Sequence, residues 1–259
     1  MLEVTLDQAA ACLQAAGIVP GDNLLVHSAV QFLGRPAGGV GLYLQAIQAA
    51  AGQDATLVVP TFNFGFARGE PYDPLETPSV GMGAFSEYIR KLPEARRTLH
   101  PMQSVAALGR WAEDLASRDT PSAFDPGSAF ERMLELDFKL LLLGADWKAT
   151  SMFHYSEQRF AVPYRYWKDF TGPVRLPQPD GAGERPWQTR TYRMFVRDLE
   201  INPQLTLDPL IPDMQTRGHF TACPLNYGQV IACRLADFVA DVDRFLARDP
   251  WTFVINKPA

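Results

Sequence analysis

Histidine and cysteine are the scarce residue types in this chain. The three cysteines, Cys12, Cys223 and Cys233, share no metal-type spacing and leave one thiol over in any disulfide scheme. That excludes a disulfide framework and points to a reducing, cytoplasmic setting. No apolar run approaches the roughly 20 residues that span a bilayer. The first residues, MLEVTLDQAAACLQAAGI, carry acids where a signal peptide carries bases, so neither membrane nor export is expected. Neither sign of charge dominates: 24 basic side chains stand against 29 acidic ones, a formal net charge of −5, which gives no general attraction for nucleic acid. What is plentiful is apolar surface. With 47% hydrophobic residues in 259, the chain can bury the core of one large domain.

Helical and strand-like segments alternate through residues 1 to 160. Thr5 and Gln8 have capping-box spacing ahead of Leu6, Ala9, Ala10 and Leu13, and Gly17 ends that helix. NLLVH (23–27), TLVVPTF (56–62), SVAALG (104–109) and KLLLLGA (139–145) read as strands, and helices are expected around Leu42–Ile47, over 83–92 and after a second capping box at Ser128 and Glu131. A strand as uniformly apolar as KLLLLGA belongs in the middle of a sheet covered on both faces. The fold class expected is therefore α/β, a helix-covered mixed or largely parallel sheet with a C-terminal α/β extension. Beyond residue 160 the sequence predicts strands at TYRMFVRD, GQVIACRL and a terminal WTFVI. An amphipathic helix bears Leu235, Phe238, Val239, Val242, Phe245 and Leu246. We take residues 1–259 as a single domain, with 1–158 forming the cofactor-binding and catalytic part and 159–259 the acceptor-determining part.

In such sheets, ligands sit where loops leave the carboxyl ends of strands. His27 and Ser28, Thr61, and the loop before His154 all fall there. Of the four histidines, His154 has the sharpest setting. In TSMFHYSE it stands three residues before Glu157, a spacing that puts imidazole and carboxylate on one helical face and suits general-base work. An isolated H-x-x-E is common by chance, and alone describes only a partly buried histidine beside a solvated glutamate.

The surrounding motifs change that balance. HSAVQFLG (27–34), Gly38–Gly39, TLVVPTFNF, the stretch from YDP at 72 to SVAALG, and LLLGA followed by TSMFHYSE occur in one order between about residues 22 and 170. Together they resemble the antibiotic N-acetyltransferase family, whose best-known members are the aminoglycoside 3-N-acetyltransferases, unrelated in fold to the GNAT enzymes. The resemblance implies acetyl-CoA as co-substrate, no metal, and a small-molecule amine as acceptor. It places His27, Ser28 and Ala29 against the pantetheine arm, Gly38 and Gly39 at a diphosphate-binding helix start, and Thr61, Arg97 and Ser104 among the cofactor contacts. Ser151 and His100 fall on its substrate side, and His154 and Glu157 on its catalytic segment. Asp73 is either a pocket wall or a turn residue, and His100 is either a site residue or a structural one. Two departures stand out: Ala29 where many members have serine, and ADWKATSMF without the family's usual asparagine. The oxyanion donors expected are a backbone N–H near Ser28 or the Ser104 hydroxyl. His219 reads as a surface or loop residue.

Residues 159–197 carry eight basic side chains (Arg159, Arg165, Lys168, Arg175, Arg185, Arg190, Arg193, Arg197) against Asp169, Asp180 and Glu184, a local excess of five positive charges. That suggests an anionic acceptor, with Arg159 and Arg165 as contacts. VPYRYWKDFTG and YRMFVRDLE are also similar to family members associated with amino-sugar modification. The acceptor expected is an amino sugar, with a nucleotide-linked one among the options; the alternative is an aminoglycoside. Two other classes stay open on sequence alone: a metal-dependent amidohydrolase using His27, His100, His154 and Asp73, and a non-catalytic binding module. A homodimer stays open as well.

Overall fold

The computed structural model describes residues 2–177 and 185–257; Asp180 and Glu184 of the charge count lie outside them. In chain order the elements are β1 (Glu3–Val4), α1 (Leu6–Ala15), β2 (Leu24–Ser28), β3 (Arg35–Pro36), α2 (Leu42–Ala51), β4 (Leu57–Pro60) and α3 (Gly83–Arg90). Then come β5 (Arg96–Arg97), β6 (Val105–Leu108), α4 (Ala112–Ala116), α5 (Ala129–Glu135), β7 (Lys139–Leu143) and α6 (Phe153–Arg159). The last third holds β8 (Arg165–Arg175), β9 (Trp187–Arg197), α7 (Leu210–Arg217), β10 (Phe220–Leu225), β11 (Gly228–Arg234) and α8 (Leu235–Arg248).

A seven-stranded sheet of order β10-β11-β7-β2-β4-β6-β5 forms the middle layer. It is mixed: β7, β2 and β4 run parallel at the centre, and antiparallel strands flank them on both sides. The uniform apolarity of β7 has the expected consequence. Leu140 and Leu142 pack into one core with α5, α6 and α8, while Leu141 and Leu143 pack into the other with α1 and α2. Because the three central strands point the same way, His27–Ser28, Thr61 and Gly144 all emerge at one edge. Gly144 turns the chain there with φ 73°, and a Cβ on it would stand 2.8 Å from the Ala29 carbonyl, so the glycine is required twice over.

Local signals explain most boundaries. Thr5 and Gln8 form the reciprocal capping box. At α5 only half of one forms: Ser128 Oγ accepts from Glu131 N, but the Glu131 carboxylate accepts from Gly127 N, one residue early. The C-terminal portion divides in two. β10, β11 and α8 complete the main sheet and core, whereas β8 and β9 pair with each other as an 11-residue antiparallel ribbon that is bridged to the body at Tyr72. Beneath the ribbon, Phe66, Tyr72, Met102, Val174 and Tyr192 form a small separate core. The terminal WTFVI strand does not form. Trp251–Ile255 turns back on itself with a single bridge from Val254 to Leu205, because Phe253 and Val254 are drawn into the core under α8 instead of pairing along an edge. β8 and β10 arise where no strand was expected; each contains a proline, which a ribbon or sheet edge tolerates.

Candidate active site

α6 follows the loop that leaves β7, and it carries His154 and Glu157 over the carboxyl edge of the sheet. His154 Nδ1 lies 2.5 Å from Glu157 Oε2. Glu157 is fully buried, and such a carboxylate survives ionised only with partners. Burial would raise its carboxyl, but His154 and Arg165 outweigh that and hold it below the usual carboxylate range. Arg165 Nε stands 3.0 Å from the other oxygen, Oε1. The imidazole is one-third exposed and meets Phe124 edge-on at 6.1 Å.

Geometry fixes the tautomer. A carboxylate can only accept, so the short bond requires the proton on Nδ1, which leaves the Nε2 lone pair free. Arg165 Nη2 lies 3.3 Å from Nδ1, but two donors cannot bond each other. That approach is an electrostatic contact between a guanidinium and the ring.

His27 lies next to this pair and is set up oppositely. Its Nε2 accepts from the Ser151 N–H at 3.0 Å and faces the Ser151 hydroxyl at 2.9 Å, so the proton sits on Nδ1, buried and without a partner. Burial and the proximity of His154 push the His27 imidazole down to about 3, which keeps it neutral. The hydroxyls of Ser28 and Thr150 are also buried without partners. Gly83, with φ 84°, opens α3 against Ser28, and a Cβ there would stand 3.2 Å from the Ser28 carbonyl.

Several expected contacts are placed otherwise. Thr61, Arg97 and Ser104 form a buried knot: Arg97 Nε donates to both hydroxyls at 3.0 Å, Nη2 donates to the Thr61 carbonyl at 2.6 Å, and Nη1 reaches the Pro74 and Thr77 carbonyls. These groups largely satisfy one another and brace the loop after β4. The Ser104 hydroxyl donates to Thr61 O and the Ala29 N–H to Leu143 O, which takes these two from the expected oxyanion donors. His100 accepts from Gln103 N at Nδ1 and bonds the Arg193 carbonyl through Nε2, and burial pushes it down to about 4. It is a structural histidine that ties the ribbon to the body. Asp73 receives Arg185 at 2.6 Å and anchors the far end of the same ribbon. The two therefore do not converge with His27 and His154, and the described residues contain no group of three or more potential metal ligands. Gly38 and Gly39, at φ 79° and 99°, form an open turn before α2 with nothing near either Cβ position. The first helical N–H groups, of Leu42 and Tyr43, are already bonded to Gly39 and Val40. Arg159 turns away to Asp243 on α8 at 2.8 Å. His219, in the loop before β10, is bonded at 2.6 Å to the buried Asp241.

The basic side chains of residues 159–197 are largely paired. Arg159, Arg165, Arg175, Arg185 and Arg190 each pair with an acid, namely Asp243, Glu157, Asp73 (twice) and Asp119. Most of the local positive excess is thus neutralised inside the protein by acids counted elsewhere in the chain. Sequence reasoning missed Tyr164, whose buried hydroxyl is pushed well above the usual phenol range by burial and by the neighbouring Glu157. No local pattern marks it, since its position depends on β8 folding back over α6.

Residues 25–247 match the profile of a family described as aminoglycoside 3-N-acetyltransferase. Aminoglycoside N(3)-acetyltransferase III of Salmonella sp is 28% identical over 201 residues, covering 68% of this chain and 67% of that protein. Aminoglycoside N(3)-acetyltransferase IV of Salmonella sp is 37% identical over 152 residues, covering 57% of this chain and 56% of that protein. Among solved structures, the binary complex of AAC-IIIb with CoASH superposes with a TM-score of 0.81 at 22% identity, covering 99% of this chain and 100% of that one.

Proposed function

Because the chain belongs to the aminoglycoside 3-N-acetyltransferase family, we propose that it transfers acetyl from acetyl-CoA directly to an amino group of an amino-sugar-containing small molecule, with His154 as general base. The observation that carries the reading is the bond between His154 Nδ1 and the buried Glu157, which leaves Nε2 as an accessible acceptor. The unpartnered polar atoms of His27, Ser28 and Thr150 fit a carbonyl- and amide-bearing thioester arm entering at the strand ends, and the Gly38–Gly39 turn leaves room for a phosphate. Acetyl-CoA supplies the activated acyl carbon.

An ammonium cannot attack a thioester, so the acceptor first gives up one proton to solvent, and Nε2 then takes a second from its nitrogen as the C–N bond forms. Glu157 stabilises the imidazolium that results, and that imidazolium returns the proton as the thiol leaves. No covalent enzyme intermediate is needed if both substrates are held together. Cys12 and Cys233 are buried on α1 and β11, and burial pushes both thiols up, Cys12 to about 12. Neither can serve as an acyl carrier.

With five of the arginines in residues 159–197 already paired, positive charge no longer argues for an anionic acceptor, and an aminoglycoside becomes the first acceptor to offer. The test is thiol release from acetyl-CoA against aminoglycosides and nucleotide-linked amino sugars. Turnover with an aminoglycoside is expected, and absence of thiol release with every amine, in protein whose melting temperature rises with acetyl-CoA, would reduce the protein to a binding module.

A further inference from the structure

Arg165 was expected on sequence grounds to greet the acceptor, but its surroundings give it other work. It is the first residue of β8, and its side chain is only 10% exposed. Each nitrogen has a distinct neighbour: Nε lies 3.0 Å from Glu157 Oε1, Nη1 donates to the Phe195 carbonyl on β9 at 3.1 Å, and Nη2 stands 3.3 Å from His154 Nδ1. The guanidinium thus touches both members of the acid–base pair while its far side is pinned to the partner strand of the ribbon. A lysine, with one compact charge, could not make these three contacts at once.

We propose that Arg165 is a positioning residue for the base: it neutralises the buried Glu157 and, by its own charge beside Nδ1, keeps His154 uncharged until the acceptor delivers a proton. The proposal rests on the reading of His154 as that base. Without Arg165, a fully buried carboxylate would face the imidazole alone, and the pair would hold a proton at rest and lie idle over more of the pH range. With Arg165 in place, Glu157 still orients the ring, but the net charge beside the ring is near zero. Among the described residues around the ring, no other group supplies a cation to this pair. Arg159, on the same helix, is turned to Asp243 on α8. Asp125, from the loop before α5, is bonded to Gln158. His27, from β2, is neutral, and the Tyr164 hydroxyl beside Glu157 is uncharged. The arrangement also ties the ribbon to the chemistry, since the Phe195 bond makes the guanidinium's position depend on β9.

The test is the pH profile of kcat/KM for the acceptor in wild type, Arg165→Gln and Arg165→Lys, with acetyl-CoA-dependent melting shifts reporting folding and cofactor binding. The acceptor's own ammonium titrates identically against all three proteins and cancels in the comparison. For Arg165→Gln the acidic limb is expected to move up by about one pH unit, the size of a unit charge removed at this distance in a partly wet site. KM for acetyl-CoA should stay near its wild-type value. Arg165→Lys should keep the limb in place but lower kcat several-fold, since charge returns without the fixed geometry. A glutamine variant with an unshifted limb and wild-type kcat overturns the proposal. If that variant does not fold, the lysine variant decides, and wild-type kcat there overturns it. Failure of the underlying reading looks different: His154→Gln would then keep its turnover, whatever Arg165 does.

Discussion

Glu157 is buried between His154 and Arg165, so its replacement does more than remove orientation. In Glu157→Gln the amide oxygen can accept from Nδ1 only if the amide NH₂ faces the guanidinium, where donors meet. The flipped amide instead donates to Nδ1 and moves the ring proton to Nε2, which abolishes the base. His154→Gln is expected to lower kcat by about 10² to 10⁴. Glu157→Gln should fall within about tenfold of it, because a wrong tautomer disables an imidazole nearly as thoroughly as deletion. Steady-state kcat at saturating acetyl-CoA decides, and near-normal turnover in His154→Gln would end the general-base reading. The pairing of His154 with Glu157 was legible as H-x-x-E on a helix. The partner on the other side was not. Arg165 follows eight residues later in a segment whose sequence shows only that it is basic, and nothing there says which arginines face a carboxylate and which face water.

At the scale of elements, the strands that could be read are those whose residues had no alternative. β2, β4, β6 and β7 are apolar on both faces and can only be central. The ribbon was half-read: β9 carries aromatic and β-branched residues, while β8 contains Gly172 and Pro173. Gly172 lets Phe66 pack against the backbone, where a Cβ would come within 2.9 Å of that ring. Tertiary anchors, not strand propensity, hold this ribbon in place. Tyr72 exchanges backbone bonds with Pro173 and Arg175, Arg193 N donates to Pro121 O, and Asp73 pairs with Arg185 and Arg175. Asp73→Ala should therefore loosen the ribbon selectively. Its arginines can still reach water, so the global cost is about 1–2 kcal/mol and not the larger figure for a fully buried pair. Hydrogen exchange should show faster exchange of amides in β8 and β9 with β2 and β7 unchanged. Uniform loss of protection would mean that the ribbon and the sheet unfold as one unit.

For the whole molecule, the two buried neutral histidines set the response to acid. His27 and His100 lie far below the ordinary histidine value of 6.5, at about 3 and about 4, chiefly because burial disfavours the charged ring. The unfolded chain therefore binds more protons than the folded one between pH 6.5 and about 4. The stability these residues contribute is complete above pH 6.5 and is lost as pH falls through that window. Carboxylates held low by their partners, such as Glu87 under the hydrogen bonds of Arg90, act only below the ordinary carboxylate range, so they cannot mimic an onset near pH 6. From pH 6.5 to 5 each histidine should remove on the order of 1–2 kcal/mol of unfolding free energy. His100 offers the cleaner test, because glutamine can reproduce both of its bonds, accepting from Gln103 N and donating to the Arg193 carbonyl. Urea unfolding of His100→Gln at pH 7 should match wild type to within about 1 kcal/mol, while the loss between pH 6.5 and 5 should shrink by roughly half. An unchanged pH dependence in that variant would show that His100 is not a buried neutral base, and that the acid response belongs to groups nearer the catalytic edge.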